Sequence, residues 1–224
     1  MTRRLFAPML AVAAVMFAIA PVLIARAPYE STMGLVQKIF YFHVPAGIVM
    51  FAAALVCGIS SALFLARGRL EHDRRALAAG ELTVIFGTIM LVTGPLWARK
   101  AWGVWWQWEA RLTSTLVLTL IFVAYLLLRR YGGPGSERLG AVLAVFGMVN
   151  VPFVYWSVNV WRTMHPRTTV VPTLDPSMRP AFWWCMVAFF VLFGGLLTLR
   201  VRLEEQRAAL DRLWLAREEA EVRS

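Results

Sequence analysis

Six long apolar runs, separated by short polar segments, dominate the pattern of the chain. They cover residues 5–25, 40–66, 81–98, 112–128, 139–158 and 181–200. About 20 apolar residues in a helix cross the roughly 30 Å hydrocarbon layer of a bilayer, so each run is suited to span a membrane once. The pattern therefore predicts an all-α, polytopic membrane protein with six transmembrane helices and with both termini on one side.

The polar segments divide into two sets, one for each side of the membrane. Segments 26–39, 99–111 and 159–180 share the side away from the termini, and segments 67–80 and 129–138 share the side of the termini. We interpret residues 67–75 as a solvated charged turn in which His72 is a surface histidine. Residues 1–200 are predicted to form one membrane domain, and residues 201–224 a helical tail that continues the sixth span.

Lysine and arginine counts indicate the orientation, because these residues are retained in cytoplasmic loops. The side of the termini has 15 of them and the other side has 8, and with the tail set aside the counts are 9 and 8. Pro21 and Pro28 follow the two segments that resemble signal cleavage sites, so we interpret the first run as an uncleaved span. The sequence thus predicts a bacterial inner-membrane protein with cytoplasmic termini.

Composition narrows the functions that are possible. Hydrophobic residues make up 59% and charged residues 16% of the chain, which excludes a soluble domain. The net charge of +10 is spread over every loop, so it favours lipid headgroups or an anionic ligand over nucleic acid. Cys57 and Cys185 lie far apart in predicted spans, which argues against thiol chemistry. No phosphate-binding loop motif is present, so any ATP hydrolysis must belong to a partner.

Tryptophan is concentrated on the predicted periplasmic side. Nine of the ten tryptophans lie at or beyond that interface: Trp97, Trp102, Trp105, Trp106, Trp108, Trp156, Trp161, Trp183 and Trp184. An aromatic belt explains tryptophan at helix ends, but belts form at both interfaces. The remaining asymmetry indicates a binding surface, or alternatively an interfacial helix that lies on the lipid.

The densest cluster lies in the second outer loop. If residues 102–109 are helical, then Trp102, Trp105, Trp106 and Glu109 follow the i, i+3, i+4, i+7 spacing of one helix face, with Trp108 beside it. Such a face of indole rings next to a carboxylate suits a large, flat, apolar ligand.

Two of the three histidines are predicted on the same side as this cluster. His43 lies just inside the outer end of the second span, where an ionisable group is costly without a partner, and His165 lies in the third outer loop. Two neutral imidazoles can provide both axial ligands of a haem iron. Met164 is an alternative ligand to His165. A haem also carries two propionate groups, and arginine binds carboxylates with two parallel hydrogen bonds. The sequence offers five basic residues as candidate partners for the propionates and does not rank them: Arg99, Lys100, Arg111, Arg162 and Arg167.

The segment from Trp102 to Ser114 resembles the signature of the haem-handling membrane proteins with a WWD domain. Its Arg-Leu-Thr-Ser ending is similar to that of the CcmC family. The haem lyase branch of the group usually continues differently and has additional membrane histidines. Glu109 stands where the family usually has aspartate, which keeps the carboxylate but lengthens the side chain by one methylene. The resemblance extends over essentially the whole chain.

That resemblance implies a function and a set of partners. His43 and His165 would be the axial ligands, and the tryptophan loop (residues 99–114) would be the platform for haem b, a transient cargo. The family presents haem to the haem chaperone CcmE, which bonds it covalently, and CcmD and the CcmA–CcmB ATPase complete the complex. No nucleophile is evident, so we interpret the chain as a transfer component rather than an enzyme, leaving open whether it promotes attachment to CcmE.

Two other functions remain open at this stage. A haem-translocating permease subunit of an ABC-type exporter would need polar residues along the spans. The residues of this kind are scattered, as helix packing would also explain: Ser60, Ser61, Thr83, Thr88, Thr93, Thr119 and Asn150. An electron-transfer cytochrome b would need histidine pairs at different membrane depths, and only one outer pair is available.

Overall fold

The computed structural model describes residues 5–30 and 33–223, and side chains up to Glu221. Six α-helices account for most of the chain: α1 (Phe6–Arg26), α2 (Phe40–Arg67), α3 (Leu70–Ala101), α4 (Ala110–Tyr131), α5 (Ser136–Val160) and α6 (Arg179–Arg223). All six are long and apolar enough to cross a membrane, and the described residues form no β-strand. The predicted all-α, multi-pass membrane protein is confirmed.

The connections between helices alternate between two ends of the bundle. The site end carries residues 27–30, 33–39, 102–109 and 161–178, and the tail end carries residues 68–69, 132–135 and the last part of α6. The cytoplasmic position of the tail end remains a prediction from the charge count. Arg3 and Arg4, which enter that count, lie outside the described residues, as does the side chain of Arg223.

Helix α2 is the central element, since it packs against α3, α5 and α6. Its buried face contains many small residues, which let helix backbones approach closely. At Gly58 a Cβ atom would lie only 2.3 Å from Cβ of Met148 on α5. Helices α3 and α4 also approach closely at a glycine, because a Cβ at Gly80 of α3 would lie only 2.6 Å from the ring of Tyr125 on α4.

The predicted inner loop at residues 67–80 is wrong, because α3 begins at Leu70 and leaves only Gly68 and Arg69 between the helices. Two acidic residues of α3 pair with arginines of other helices. Asp73 forms a bidentate ion pair with Arg129 of α4, with N–O distances of 2.5 and 2.7 Å. Glu81 pairs with Arg200 of α6.

His72 is correspondingly a buried residue and not the surface histidine that the sequence indicated. It lies one turn into α3, at the tail end, far along the helix from the site end. At the other terminus, α6 continues without a break to Arg223, so the tail is helical, and residues 210–221 are exposed. The division of the chain at residue 200 stays a prediction.

Candidate functional site

A cavity with a volume of about 320 Å³ lies at the site end, and we call it the site cavity. It is surrounded by helices α2, α3 and α4, by the described residues of the first loop (27–30 and 33–39), and by the loops 102–109 and 161–178. Its walls are mainly apolar, with contributions from Phe40, Val44, Met90, Leu91, Leu112 and Leu174. The sequence-predicted residues His43, His165, Arg111, Trp102 and Trp106 all line it.

His43 lies in the first turn of α2, at the site end of the bundle. Its Nδ1 atom is 2.8 Å from Oγ1 of Thr93 on α3. The ring also lies close to the neighbouring Gly94, where a Cβ would be at van der Waals distance, 3.4 Å, from Cε1 of His43. The ring is therefore held against α3, and His43 is one of the residues that line the site cavity.

His165 belongs to the loop after α5 and faces the same cavity. Its backbone N–H donates to Oγ1 of Thr163 at 3.0 Å, and its Nδ1 lies 2.8 Å from the carbonyl oxygen of Pro166. Burial, together with the positive charge of Arg111, lowers the pKa of His165 to about 4. The imidazole is therefore neutral at physiological pH and keeps a lone pair on one nitrogen, as a metal ligand requires.

Arg111, in the first turn of α4, is the cation of the site. Its guanidinium donates to the carbonyl oxygens of Val154 and Tyr155 on α5, at 2.7 and 3.1 Å. Among the described residues that line the cavity, Arg111 is the one lysine or arginine. The structure thereby separates it from the four other basic candidates, which lie outside the lining: Arg99, Lys100, Arg162 and Arg167.

Residues 102–109 of the tryptophan loop are not helical, so the continuous indole face that helical spacing would produce is not formed. Helix α3 ends at Ala101, and Gly103 adopts a left-handed conformation with φ of +78°, which favours glycine and turns the chain. Trp102 and Trp106 line the site cavity. Trp105 and Trp108 do not, and their exposed fractions are 57% and 78%.

Glu109 lies immediately before α4 and joins two loops instead of lining the cavity. Its Oε2 atom accepts hydrogen bonds from the hydroxyl of Thr163 and from the backbone N–H of Met164, the latter at 2.9 Å. These residues directly precede His165. The carboxylate therefore links the loop that carries His165 (residues 161–178) to the tryptophan loop. The sequence did not suggest this role.

Two polar atoms in the cavity wall are buried without a hydrogen-bond partner among the described residues. They are Nε1 of Trp106, which is a donor, and Oε1 of Gln37, which is an acceptor. An unsatisfied buried donor in a binding cavity suits a ligand that brings an acceptor. Sequence reasoning missed Gln37 and Thr93, because each is one polar residue among many and only the helix rotation brings it to the site.

The arrangement fits the chemistry of a haem. Two imidazoles from separate elements border one apolar cavity, indole rings flank it, and a guanidinium and an indole N–H offer donors to carboxylates. Met164, the alternative ligand, is exposed and does not line the cavity. Its neighbour His165 is the residue that faces the cavity.

Comparison with known proteins agrees with this chemistry. A family model described as CcmC, heme exporter protein C, matches residues 1–216. Heme exporter protein C of Escherichia coli (strain K12) is 33% identical over 205 residues, covering 85% of this chain and 81% of the relative. The protein of that name from Bradyrhizobium diazoefficiens is 34% identical over 187 residues, covering 80% and 71%. A putative cytochrome c biosynthesis ccmC-like mitochondrial protein of Marchantia polymorpha is 30% identical over 179 residues, covering 79% and 77%. The resemblance that the tryptophan motif indicated is confirmed, and the chain belongs to the CcmC family.

Proposed function

We propose that the chain binds haem b as a transient cargo in the site cavity, with His43 and His165 as the two axial ligands of the iron. One observation carries the proposal: histidines from two elements that are distant in sequence line the same apolar cavity. Membership in the CcmC family supports a haem-handling role in cytochrome c maturation.

The other residues of the site have distinct parts in the proposal. Arg111 and the N–H of Trp106 bind the propionates, since both are donors in the cavity wall. Trp102 and Trp106 pack against the macrocycle. Trp105 and Trp108, which are exposed, contact the part of the haem that projects from the cavity. Glu109 acts through the loop of His165.

The proposed activity is handover of haem to the chaperone CcmE at the periplasmic face of the bacterial inner membrane. A donor must hold haem firmly enough to orient it and still leave an edge open to the acceptor. A cavity built from loops at one end of the bundle suits this task. CcmD and the CcmA–CcmB ATPase are the proposed partners that supply assembly and energy, and the spans are surrounded by lipid.

The permease alternative receives less support from the spans. The hydroxyls of Thr83, Thr88 and Thr119 donate to carbonyl oxygens of their own helices, at 2.8 to 3.0 Å. Such hydroxyls use their one proton within the helix, so they cannot also donate it to a migrating ligand. Haem uptake into sealed vesicles that contain this chain alone would favour the permease over the handover function.

The ligand assignment is tested by purifying the His43→Ala and His165→Ala variants with their haem. We expect each to lose most of its haem, or to retain it with a five-coordinate spectrum, because one axial ligand is missing. His72→Ala is the matched control, since it removes the third histidine at the opposite end of the bundle. Haem content and spectrum unchanged in both site variants would contradict the assignment.

Handover is tested separately, with haem-loaded protein and CcmE in a reconstituted membrane. We expect replacement of the four loop tryptophans (Trp102, Trp105, Trp106 and Trp108) by alanine to abolish transfer while the bundle still folds. Transfer at the parent rate by this variant would contradict the platform.

A further inference from the structure

The side chain of Thr93, on α3, is in hydrogen-bond contact with the ring of His43. We propose that Thr93 is a positioning residue that fixes the tautomer and the ring orientation of His43, so that Nε2 of this histidine is the atom presented to the haem iron. The inference rests on the proposed function, because it requires His43 to be an axial ligand. It concerns a residue outside the cavity lining.

The direction of the hydrogen bond follows from counting protons. A threonine hydroxyl has one proton to donate, and we assign that of Thr93 to the carbonyl oxygen of Ile89, one turn earlier in α3, which lies 2.7 Å away and can only accept. At 2.8 Å from Nδ1 of His43, the hydroxyl oxygen of Thr93 can then only accept. Nδ1 must carry the hydrogen, and in a neutral imidazole Nε2 is left with the free lone pair.

The surroundings of the ring agree with this assignment. His43 lines the site cavity and Thr93 does not, so the Nδ1 edge of the ring faces α3. Cε1, the ring atom between the two nitrogens, lies close to Gly94 of the same helix, at 3.4 Å from the position of a Cβ there. The side of the ring opposite Thr93 is the side available to the cavity.

His165 has the same tautomer for an independent reason. A carbonyl oxygen can only accept, so Nδ1 of His165 donates to Pro166, at 2.8 Å, and again Nε2 is free. Both proposed ligands thus have Nδ1 hydrogen-bonded and Nε2 free. The acceptor is a backbone carbonyl for His165 and a side-chain hydroxyl for His43. Only the side-chain acceptor can be removed by substitution, which makes Thr93 the informative position.

An acceptor behind a ligating imidazole does more than orient it. The hydrogen bond from Nδ1–H increases electron density on the ring and makes Nε2 a stronger ligand, which favours ferric over ferrous iron. Loss of such a partner typically weakens metal binding by about 10–100-fold. Loss of the Thr93 hydroxyl should therefore weaken haem binding and raise the reduction potential of the bound haem.

The test compares Thr93→Val, Thr93→Ser and Thr88→Val in the full-length protein in nanodiscs. Valine keeps the shape of threonine without its hydroxyl, and serine restores the acceptor. Thr88→Val is the matched control, because the Thr88 hydroxyl makes the same bond to its own helix at 2.8 Å but is exposed. Haem affinity is measured by titration, and the potential by spectroelectrochemistry.

We expect Thr93→Val to bind haem about 10–100-fold more weakly and at a higher potential, with Thr93→Ser and Thr88→Val close to the parent. Parent affinity and potential in Thr93→Val would overturn the proposal, and so would an equal change in Thr93→Ser. If Thr93→Val does not fold, Thr93→Ala replaces it with the same expectations.

The His43→Ala variant in the same series separates two kinds of failure. If His43→Ala loses haem while Thr93→Val is unchanged, the role of Thr93 is wrong and the ligand assignment stands. If His43→Ala also binds haem like the parent, the proposed function and the role of Thr93 fail together.

Discussion

The indole nitrogen of Trp106 is a buried hydrogen-bond donor in the wall of the site cavity, without an acceptor among the described residues. Trp106→Phe removes this donor and keeps most of the aromatic surface. A hydrogen bond to a charged group contributes about 1.5–3 kcal/mol, so we expect haem to bind roughly 10–100-fold more weakly. Haem titration of the purified variant measures this change.

Trp105→Phe is the matched control for that substitution, because Trp105 belongs to the same loop and is exposed. Its haem affinity should stay within about threefold of the parent, because phenylalanine keeps an aromatic ring for the haem to contact and the N–H that is lost lies outside the cavity lining. Equal affinities in the two variants would contradict a propionate contact at Nε1 of Trp106.

Residue types with unusual chemistry were the predictable part of the site. His43 and His165 were identifiable because histidine is rare in this chain and costly near a span. Arg111 could not be separated from four other basic residues, since its position depends on how α4 is rotated. Thr93 was one of several hydroxyls on the spans, and its contact with His43 depends on the packing of α2 against α3.

The packing of helix on helix makes a prediction at the level of elements. Gly58→Ala places a Cβ 2.3 Å from Cβ of Met148, an atom fixed to the backbone of α5. Overpacking of this kind costs about 1–3 kcal/mol, so the free energy of unfolding should fall by that amount. Unfolding in mixed detergent micelles measures it.

Gly194→Ala offers a control with a similar distance and a different outcome. Its Cβ would lie 2.6 Å from Cε of Met9, the far end of a flexible side chain that can move aside. We expect a change below about 0.5 kcal/mol. A larger loss for Gly194→Ala than for Gly58→Ala would contradict the close α2–α5 packing.

The ion pair between Asp73 and Arg129 joins α3 to α4 at the tail end, with side chains only 10% and 11% exposed. Asp73→Ala leaves a buried guanidinium without its partner, which typically costs about 3–5 kcal/mol of stability. The exposed pair of Arg217 and Glu221 is the comparison, and Arg217→Gln should cost less than about 0.5 kcal/mol. Similar effects from both substitutions would contradict a structural role for the buried pair.

Helix boundaries were predictable only where the apolar pattern ended at a true turn. The glycines at residues 132–135 mark such a turn, and Gly133 and Gly135 have positive φ values. The start of α3 was hidden, because the charged segment 71–75 interrupts the apolar pattern although it is helical, and Asp73 within it forms an ion pair with another helix. The shape of residues 102–109 was decided by Gly103, whose left-handed conformation overrides the helical spacing of the tryptophans.

At the scale of the whole molecule, the last part of α6 is separable from the bundle. Residues 210–221 are exposed, so deletion after Ala209 removes little buried surface. We expect the thermal midpoint and the haem content of the truncated protein to match those of the parent. A lower midpoint would show that the tail stabilises the bundle, contrary to the predicted division between domain and tail.

The overall architecture followed from the sequence because hydropathy alone determines the number of spans. The cavity did not, since it arises from three helices and three loops that meet only in the folded bundle. Tryptophans and histidines indicated which end of the bundle carries the site. Their division into residues inside the cavity and residues exposed outside it required the structure.

A cryo-electron microscopy structure of the haem-loaded protein would test the central claim most directly. We predict a macrocycle in the site cavity, with the iron bound between Nε2 of His43 and Nε2 of His165 and with one propionate at Arg111. Haem bound elsewhere on the molecule, or iron in this cavity ligated by neither histidine, would contradict the proposed function.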